Sequence, residues 1–354
     1  MISTKIVKAS PENAGQDYLK EAADILKKGG LVIMPTETVY GIAANMLNNK
    51  ALDRLYEIKE RPKDKPFSLH IEKKERIEEF ASAIPVLAYK LIDKFWPGPL
   101  TLLLESKNGK GKVGLRMPDN EIALNLIAAA GVPIVCPSAN ISGKPAPVNF
   151  EEAIKDMKGM VDLAIDAGST KLQAESSIVD LTTEPPEILR EGAIRKEDIL
   201  NIARKKTILF VCTGNSCRSV MAKALLEKIM KEKNRDDIEV LSAGIMMLGG
   251  LGATEPTKEI LKREGMDVSA HVSQRVTHDM LKKSDMILVM ERLHEKNILE
   301  IAPEAKFRLF LLKEFAKIDD NGFDIADPIG KPAEFYEKTY EIVKEAVERI
   351  SNII

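Results

Sequence analysis

Between the apolar run Ile208 to Val211 and the amphipathic stretch VMAKALLEKIM lies the heptapeptide CTGNSCR, Cys212 to Arg218, followed by Ser219. An apolar strand that turns through a short polar loop straight into a helix dictates an α/β layer, with the loop at the helix N-terminus. Backbone N–H groups and the helix dipole converge there, so a phosphoryl group can be held without dedicated side chains. The same field favours a thiolate at the start of the loop, which makes Cys212 the candidate nucleophile. Arg218 offers a planar fork for two phosphoryl oxygens from the far end. Asn215 is expected to brace the loop and Ser219 to donate to the thiolate, while Thr213, Gly214, Ser216 and Cys217 complete its wall. Breaking a phosphoryl bond also needs a proton donor for the leaving group. Asp327 in ADPIG, set on a turn by Pro328, is the candidate.

These parts, together with SAGI at Ser242 to Ile245 and GMDVSAHVSQRV at Gly265 to Val276, resemble the low-molecular-weight protein tyrosine phosphatase family over about residues 207–354. The competing reading is a buried cysteine beside a surface arginine. Tyrosine-directed members usually carry a bulky apolar residue where this chain has Ser216, and aromatic residues after the Asp-Pro, where this chain has Ile329 and Gly330. Bacterial protein-arginine phosphatases are similar at both places. The resemblance therefore implies phosphoarginine ahead of phosphotyrosine, with Asp327 pairing the guanidinium charge as well as protonating nitrogen. Related arsenate reductases relay a disulfide through later cysteines, and none follows Cys217. No cofactor is implied for this half.

At 354 residues the chain is long for one domain and comfortable for two, with 44% hydrophobic and 30% charged residues. A formal charge of -2 gives no sign of a polyanion binder on the global scale. The N-terminal MISTKIVKAS lacks a signal-peptide core, and no apolar run approaches the roughly 20 residues of a membrane span, so a cytoplasmic protein without membrane contact is expected. Three cysteines make no disulfide framework. Cys212 and Cys217 share one loop, close enough for a reversible disulfide that would shield the nucleophile. Cys136, in PIVC, reads as core, and the histidines have no metal-ligand spacing. No structural metal is expected. The charged stretch RKEDILNIARKK, Arg195 to Lys206, with one short helix, suggests a domain boundary at about residue 203.

In the first half, residues 14–28 read as an amphipathic helix stopped by Gly29 and Gly30, before a buried strand LVIMP that leads into TETVYG. Apolar strands and helices alternate from there to about residue 190, the pattern of a mixed α/β domain. Polar residues gather at the strand ends: Thr36 and Thr38, KERPKDKP at Lys59 to Pro66, His70, Arg116, and PSANISG at Pro137 to Gly143. The cations Lys59, Arg61, Lys65 and Arg116 could neutralise a triphosphate.

PTETVYG, K-x-R-P with a later K-P, FWPGPLTLLL, VGLRMPD, PSANISGKP, SSIVDL and ILREGAI, in this order over about residues 10–195, resemble the threonylcarbamoyl-AMP synthase family with its YrdC-like fold. The expected fold is thus a twisted mixed α/β YrdC-like domain, residues 1–203, followed by a small doubly wound parallel-sheet phosphatase domain, residues 204–354. The resemblance implies condensation of L-threonine, bicarbonate and ATP into threonylcarbamoyl-adenylate, with tRNA-modifying partner proteins passing the group to adenosine 37 of tRNAs (t6A). Contact with tRNA itself would be transient or indirect. By motif, Lys59, Arg61, Lys65, Arg116, Ser138, Asn140 and Arg190 would bind ATP, and Thr38, His70 and Ser176 would hold threonine. Mg2+ would bridge the phosphates rather than fill a protein cage.

Two departures stand out. The family often has His after R-x-P-D, where this chain has Asn120. Longer synthases continue into a linker and an extra domain, and here the phosphatase-like half follows instead. An alternative for the first half is a noncatalytic RNA-binding module with a basic face, and the bland reading makes the cations a solvated surface and Trp96 core.

Overall fold

The computed structural model describes residues 2–9, 17–246, 250–318 and 322–354. The chain divides into two compact units, Met1–Leu200 and Asn201–Ile354.

Among the described residues the first unit has ten strands: β1 (Lys5–Lys8), β2 (Val32–Met34), β3 (Gly41–Asn45), β4 (Leu69–His70), β5 (Leu100–Glu105), β6 (Lys112–Arg116), β7 (Ile134–Val135), β8 (Leu163–Asp166), β9 (Ser177–Asp180) and β10 (Glu187–Arg190). They form one mixed sheet in the order β1-β8-β2-β3-β7-β4-β6-β5-β9-β10. The helix expected over 14–28 is observed as Asp17–Lys27, residues 14–16 lying outside those described. Its apolar stripe, Ala22, Ala23 and Leu26, packs with Leu126 and Ile127 of the helix Glu121–Ala130 onto Val32, Met34 and Ile165 of the sheet. Gly29, at φ 86°, lets the chain leave the first helix in the left-handed region. Trp96 is buried as expected, its indole N–H donating to the Leu100 carbonyl at 2.8 Å.

Among its described residues the second unit has four parallel strands, β11 (Lys206–Cys212), β12 (Ile238–Gly244), β13 (Met286–Val289) and β14 (Leu309–Leu311), in the order β12-β11-β13-β14. The pleat of β11 sends Phe210 and Cys212 to one face and Leu209 and Val211 to the other. The first face is covered by the helices Arg218–Glu232 and Ala333–Ile350, through Met221, Tyr340 and Val347. The second is covered by the helix Arg292–Ile301, through Ile298. Helices on both faces of a parallel sheet make the doubly wound fold, and its strand order reverses beside β11. The heptapeptide therefore starts where such sheets bind ligands. Among the described residues, no helix is long and apolar enough to cross a membrane.

Candidate active sites

A cleft in the first unit is lined by Lys59, Arg61, His70, Arg116, Ser138, Ser176 and Arg190. Lys59 ends the helix Asn49–Lys59, whose start is fixed by Asn48 accepting the Ala51 N–H at 3.0 Å. Its ammonium donates to the Ser138 carbonyl at 2.6 Å and to Asn140 Oδ1 at 3.0 Å, so Asn140 meets the cleft through Lys59. Burial, helped by the Arg61 charge, draws the Lys59 pKa down to about 8. Arg61 folds back to donate to the carbonyls of Lys65 at 2.9 Å and Pro66 at 3.2 Å, with its guanidinium 5.3 Å from the centre of the Phe67 ring. Lys65 itself is exposed and does not line the cleft.

His70 and Arg116 are register partners at the ends of the parallel strands β4 and β6. Arg116 Nη2 donates to Glu37 Oε1 at 2.8 Å and to Thr38 Oγ1 at 2.7 Å, and all three side chains are buried. Thr38 stands behind Arg116, its hydroxyl 2.8 Å from that of Thr36. Three buried atoms of this group have no partner: Glu37 Oε2, Arg116 Nε and His70 Nδ1. Each such atom costs about 1–3 kcal/mol, so this end of the cleft has the character of a site that a polar ligand completes. Burial and the Arg116 charge hold the His70 pKa down to about 3, which leaves its ring neutral. Arg116, grouped with the nucleotide ligands by motif, thus sits with Thr38 and His70.

Ser176 immediately precedes β9, with its hydroxyl 3.0 Å from that of Thr101. Arg190 Nη2 donates to Ser176 Oγ at 3.1 Å, Nε to the Ser176 carbonyl at 2.8 Å, and Nη1 to Glu175 Oε1 at 2.6 Å. Gly192 makes this contact possible, since a Cβ there would stand 2.2 Å from the Glu175 carbonyl oxygen. Asn120 accepts the Ala123 N–H at 3.0 Å as the cap of the helix Glu121–Ala130, a local reason for an amide in place of an imidazole. Cys136 is buried, as a core residue should be, and also lines the cleft; burial pushes its thiol up to about 12.

In the second unit, the Cys212 sulfur lies 3.0 Å from Ser219 Oγ and accepts the Asn215 N–H at 3.3 Å. Asn215 takes φ 52° and is completely buried; it donates from Nδ2 to Ser219 Oγ at 2.9 Å and accepts the Gln274 N–H at 3.0 Å. Its carbonyl is 2.7 Å from His271 Nε2, so AHVSQ braces the left-handed turn. Gly244 of SAGI lies against the loop, where a Cβ would stand 2.7 Å from the Thr213 carbonyl oxygen. All three cysteines are free, and the Cys217 sulfur lies 3.3 Å from Thr254 Oγ1.

Arg218 is 1% exposed and its guanidinium is the hub of the site. Nη1 donates to Glu291 Oε2 and to the Ile325 carbonyl, both at 2.7 Å, and Nη2 to Asp327 Oδ2 at 2.5 Å and Thr213 Oγ1 at 2.9 Å. Nε is buried without a partner. Arg218 and Asp327 are therefore brought together across 109 residues of sequence, at the loop that Cys212 opens. Glu291 and His294 belong to the same cluster and carry no motif. Their one signal is position, just past the end of β13 in a parallel sheet, where ligands bind. Glu37 and Glu175 join their sites beside residues that the motifs mark, Thr38 and Ser176.

A family model for Sua5, YciO and YrdC, described as telomere recombination, matches residues 24–192. One described as low molecular weight phosphotyrosine protein phosphatase matches residues 207–353. The threonylcarbamoyl-AMP synthase of Pyrococcus abyssi is 43% identical over 51% of this chain and 56% of that protein, and the synthase of Bacillus subtilis 40% identical over 51% and 55%. The chain thus spans about half the length of these curated relatives. A putative threonylcarbamoyl-AMP synthase of Methanocaldococcus jannaschii is 39% identical over 54% of this chain and 95% of its own length. Among solved structures, P. abyssi Sua5 complexed with L-threonine matches with a TM-score of 0.53 at 27% identity, over 88% of this chain and 99% of that one. The YwlE arginine phosphatase of Geobacillus stearothermophilus matches at 37% identity over 42% of this chain and 92% of that one, with a TM-score of 0.38. The chain belongs, over its first half, to the Sua5/YrdC family of threonylcarbamoyl-AMP synthase homologues and, over its second half, to the low molecular weight phosphotyrosine phosphatase family.

Proposed function

We propose that this chain is bifunctional: it makes threonylcarbamoyl-AMP from L-threonine, bicarbonate and ATP for t6A formation in tRNA, and it is a cysteine-dependent phosphatase that prefers phosphoarginine. The synthase reading is carried by the division of one cleft into two chemistries. Lys59, Arg61 and Arg190 supply charge for a triphosphate, while Arg116 and His70 in the same lining keep two buried atoms unpaired for a smaller polar ligand, with Glu37 paired to Arg116. Arg116 Nε suits the carboxylate of threonine, and Ser176 lines the same cleft, held by Arg190. The residues act by holding the amino acid and the α-phosphate in reach of each other and by offsetting charge as pyrophosphate leaves. A Mg2+ ion would arrive on the phosphates, with Glu175 the carboxylate in the lining. Partner proteins would carry the product to tRNA. Pyrophosphate release that needs both threonine and bicarbonate tests this; release at the same rate without threonine would count against it.

For the phosphatase, the Cys212 thiolate attacks phosphorus, Asp327 protonates the leaving group, and Arg218 follows the phosphoryl oxygens. The preference for phosphoarginine rests on Ser216, a small hydroxyl residue that is nearly buried in the loop, and on the half-exposed aliphatic Ile329 after the acid in place of an aromatic ring. Side-by-side turnover of phosphoarginine and phosphotyrosine peptides decides the preference.

A further inference from the structure

The hydroxyl of Thr213 has two donors aimed at its oxygen. Arg218 Nη2 donates to Thr213 Oγ1 at 2.9 Å. His294 Nε2 lies 3.0 Å from the same oxygen, on a side chain with no exposed surface. The other ring nitrogen decides the roles. His294 Nδ1 accepts the backbone N–H of Glu291 at 3.0 Å, so the ring proton of the neutral imidazole sits on Nε2 and points at Thr213. Burial, with the Arg218 charge beside it, draws the His294 pKa down to about 4, against the opposing pull of Asp327 and Asp324. Glu291 Oε2, 3.6 Å from Nε2, lies beyond hydrogen-bond distance.

A hydroxyl has two acceptor lone pairs and one proton. With both lone pairs engaged, the Thr213 proton needs an acceptor outside this set. Arg218 Nη2 holds Asp327 Oδ2 at 2.5 Å as well as Thr213 Oγ1, so the two oxygens flank one nitrogen. A phosphoryl group bound in the loop would have the loop's free N–H groups and the unpartnered Arg218 Nε as donors. For the water that would hydrolyse a phosphocysteine, the roles assigned so far supply Asp327 alone.

We propose that Thr213 donates its hydroxyl hydrogen bond to that water and is a catalytic residue of the second step; this rests on the phosphatase reading above. The water oxygen attacks phosphorus, and the P–Sγ bond breaks with its electron pair returning to Cys212 as thiolate. The proton of the water passes to the Asp327 carboxylate, and inorganic phosphate leaves. Thr213 occupies the second lone pair of the water and keeps the first on line with phosphorus. His294 is a positioning residue that fixes the direction of the Thr213 proton.

Quench-flow of the full chain with p-nitrophenyl phosphate separates the steps, p-nitrophenol release reporting phosphocysteine formation and protein-bound phosphate its hydrolysis. Thr213→Val is expected to slow hydrolysis about tenfold, the worth of one hydrogen bond felt in that transition state, with formation within about twofold and phosphoenzyme accumulating. Thr213→Ser should restore hydrolysis. Equal slowing of both steps by Thr213→Val would mean that Thr213 only braces Arg218, and would overturn the proposal, as would unchanged hydrolysis. A wild-type chain that forms no phosphocysteine overturns the phosphatase reading, and this proposal with it.

Discussion

Lys59 should make ATP binding depend on pH in a way set by its burial. The side chain is 3% exposed, and desolvation with the nearby Arg61 charge lowers its pKa from 10.5 to about 8. A phosphate oxyanion would restore the charged form, so the bound state carries the proton over the whole range. The free site loses it as pH rises through about 8, and binding must then take one proton back. ATP affinity is therefore flat well below that value and weakens above it, toward tenfold per pH unit. At pH 9 about nine in ten free sites are neutral, so Kd should be about tenfold weaker than at pH 7, or about 1.4 kcal/mol. Calorimetric titration with ATP, in two buffers of different ionisation enthalpy, measures both quantities. Proton uptake should be about 0.1 at pH 7 and about 0.9 at pH 9. Lys59→Arg keeps its charge and should lose the pH dependence. An unchanged wild-type Kd at the two pH values, with no proton uptake, would refute the reasoning.

Gly244→Ala places a Cβ 2.7 Å from the Thr213 carbonyl oxygen and 3.0 Å from the Asn215 nitrogen, so the loop must shift. It should cost about 1–3 kcal/mol in denaturant unfolding of the second unit and lower phosphatase kcat/KM more than tenfold, synthase activity being unaffected. Ser216→Ile removes the hydroxyl of a buried residue and presents an apolar wall. The ratio of kcat/KM should move from phosphoarginine toward phosphotyrosine by at least about tenfold, and an unchanged ratio would mean that Ser216 does not set the preference.

The strands, the helices and the marked residues were legible where chemistry and periodicity coincide along the chain. CTGNSCRS lies between a β run and a helix, so Cys212, Asn215, Arg218 and Ser219 could be placed from spacing alone. Glu37, Glu175, Glu291 and His294 were not legible, because each is tied to its partner by geometry. Glu37 meets Arg116 across 79 residues and Glu291 meets Arg218 across 73, through strand orders that no local pattern encodes. AHVSQ was readable only as a likeness, and its reason, the support of a left-handed Asn215, appears when the loops fold together. Charge groups Lys65 with its neighbours, but Arg61 folds back onto its carbonyl and Lys65 itself stays exposed.

The central claim is that one chain carries two chemistries with separate residues. The direct measurement assays purified full-length wild type, Cys212→Ser and Arg61→Ala for pyrophosphate release from ATP dependent on threonine and bicarbonate, and for phosphate release from a phosphoarginine peptide. Wild type should do both. Cys212→Ser should lose phosphate release and keep pyrophosphate release, since its sulfur is the nucleophile of the second site alone. Arg61→Ala should do the reverse, with pyrophosphate release reduced at least about tenfold. Loss of both activities in either variant, or absence of either activity from wild type, would contradict the account.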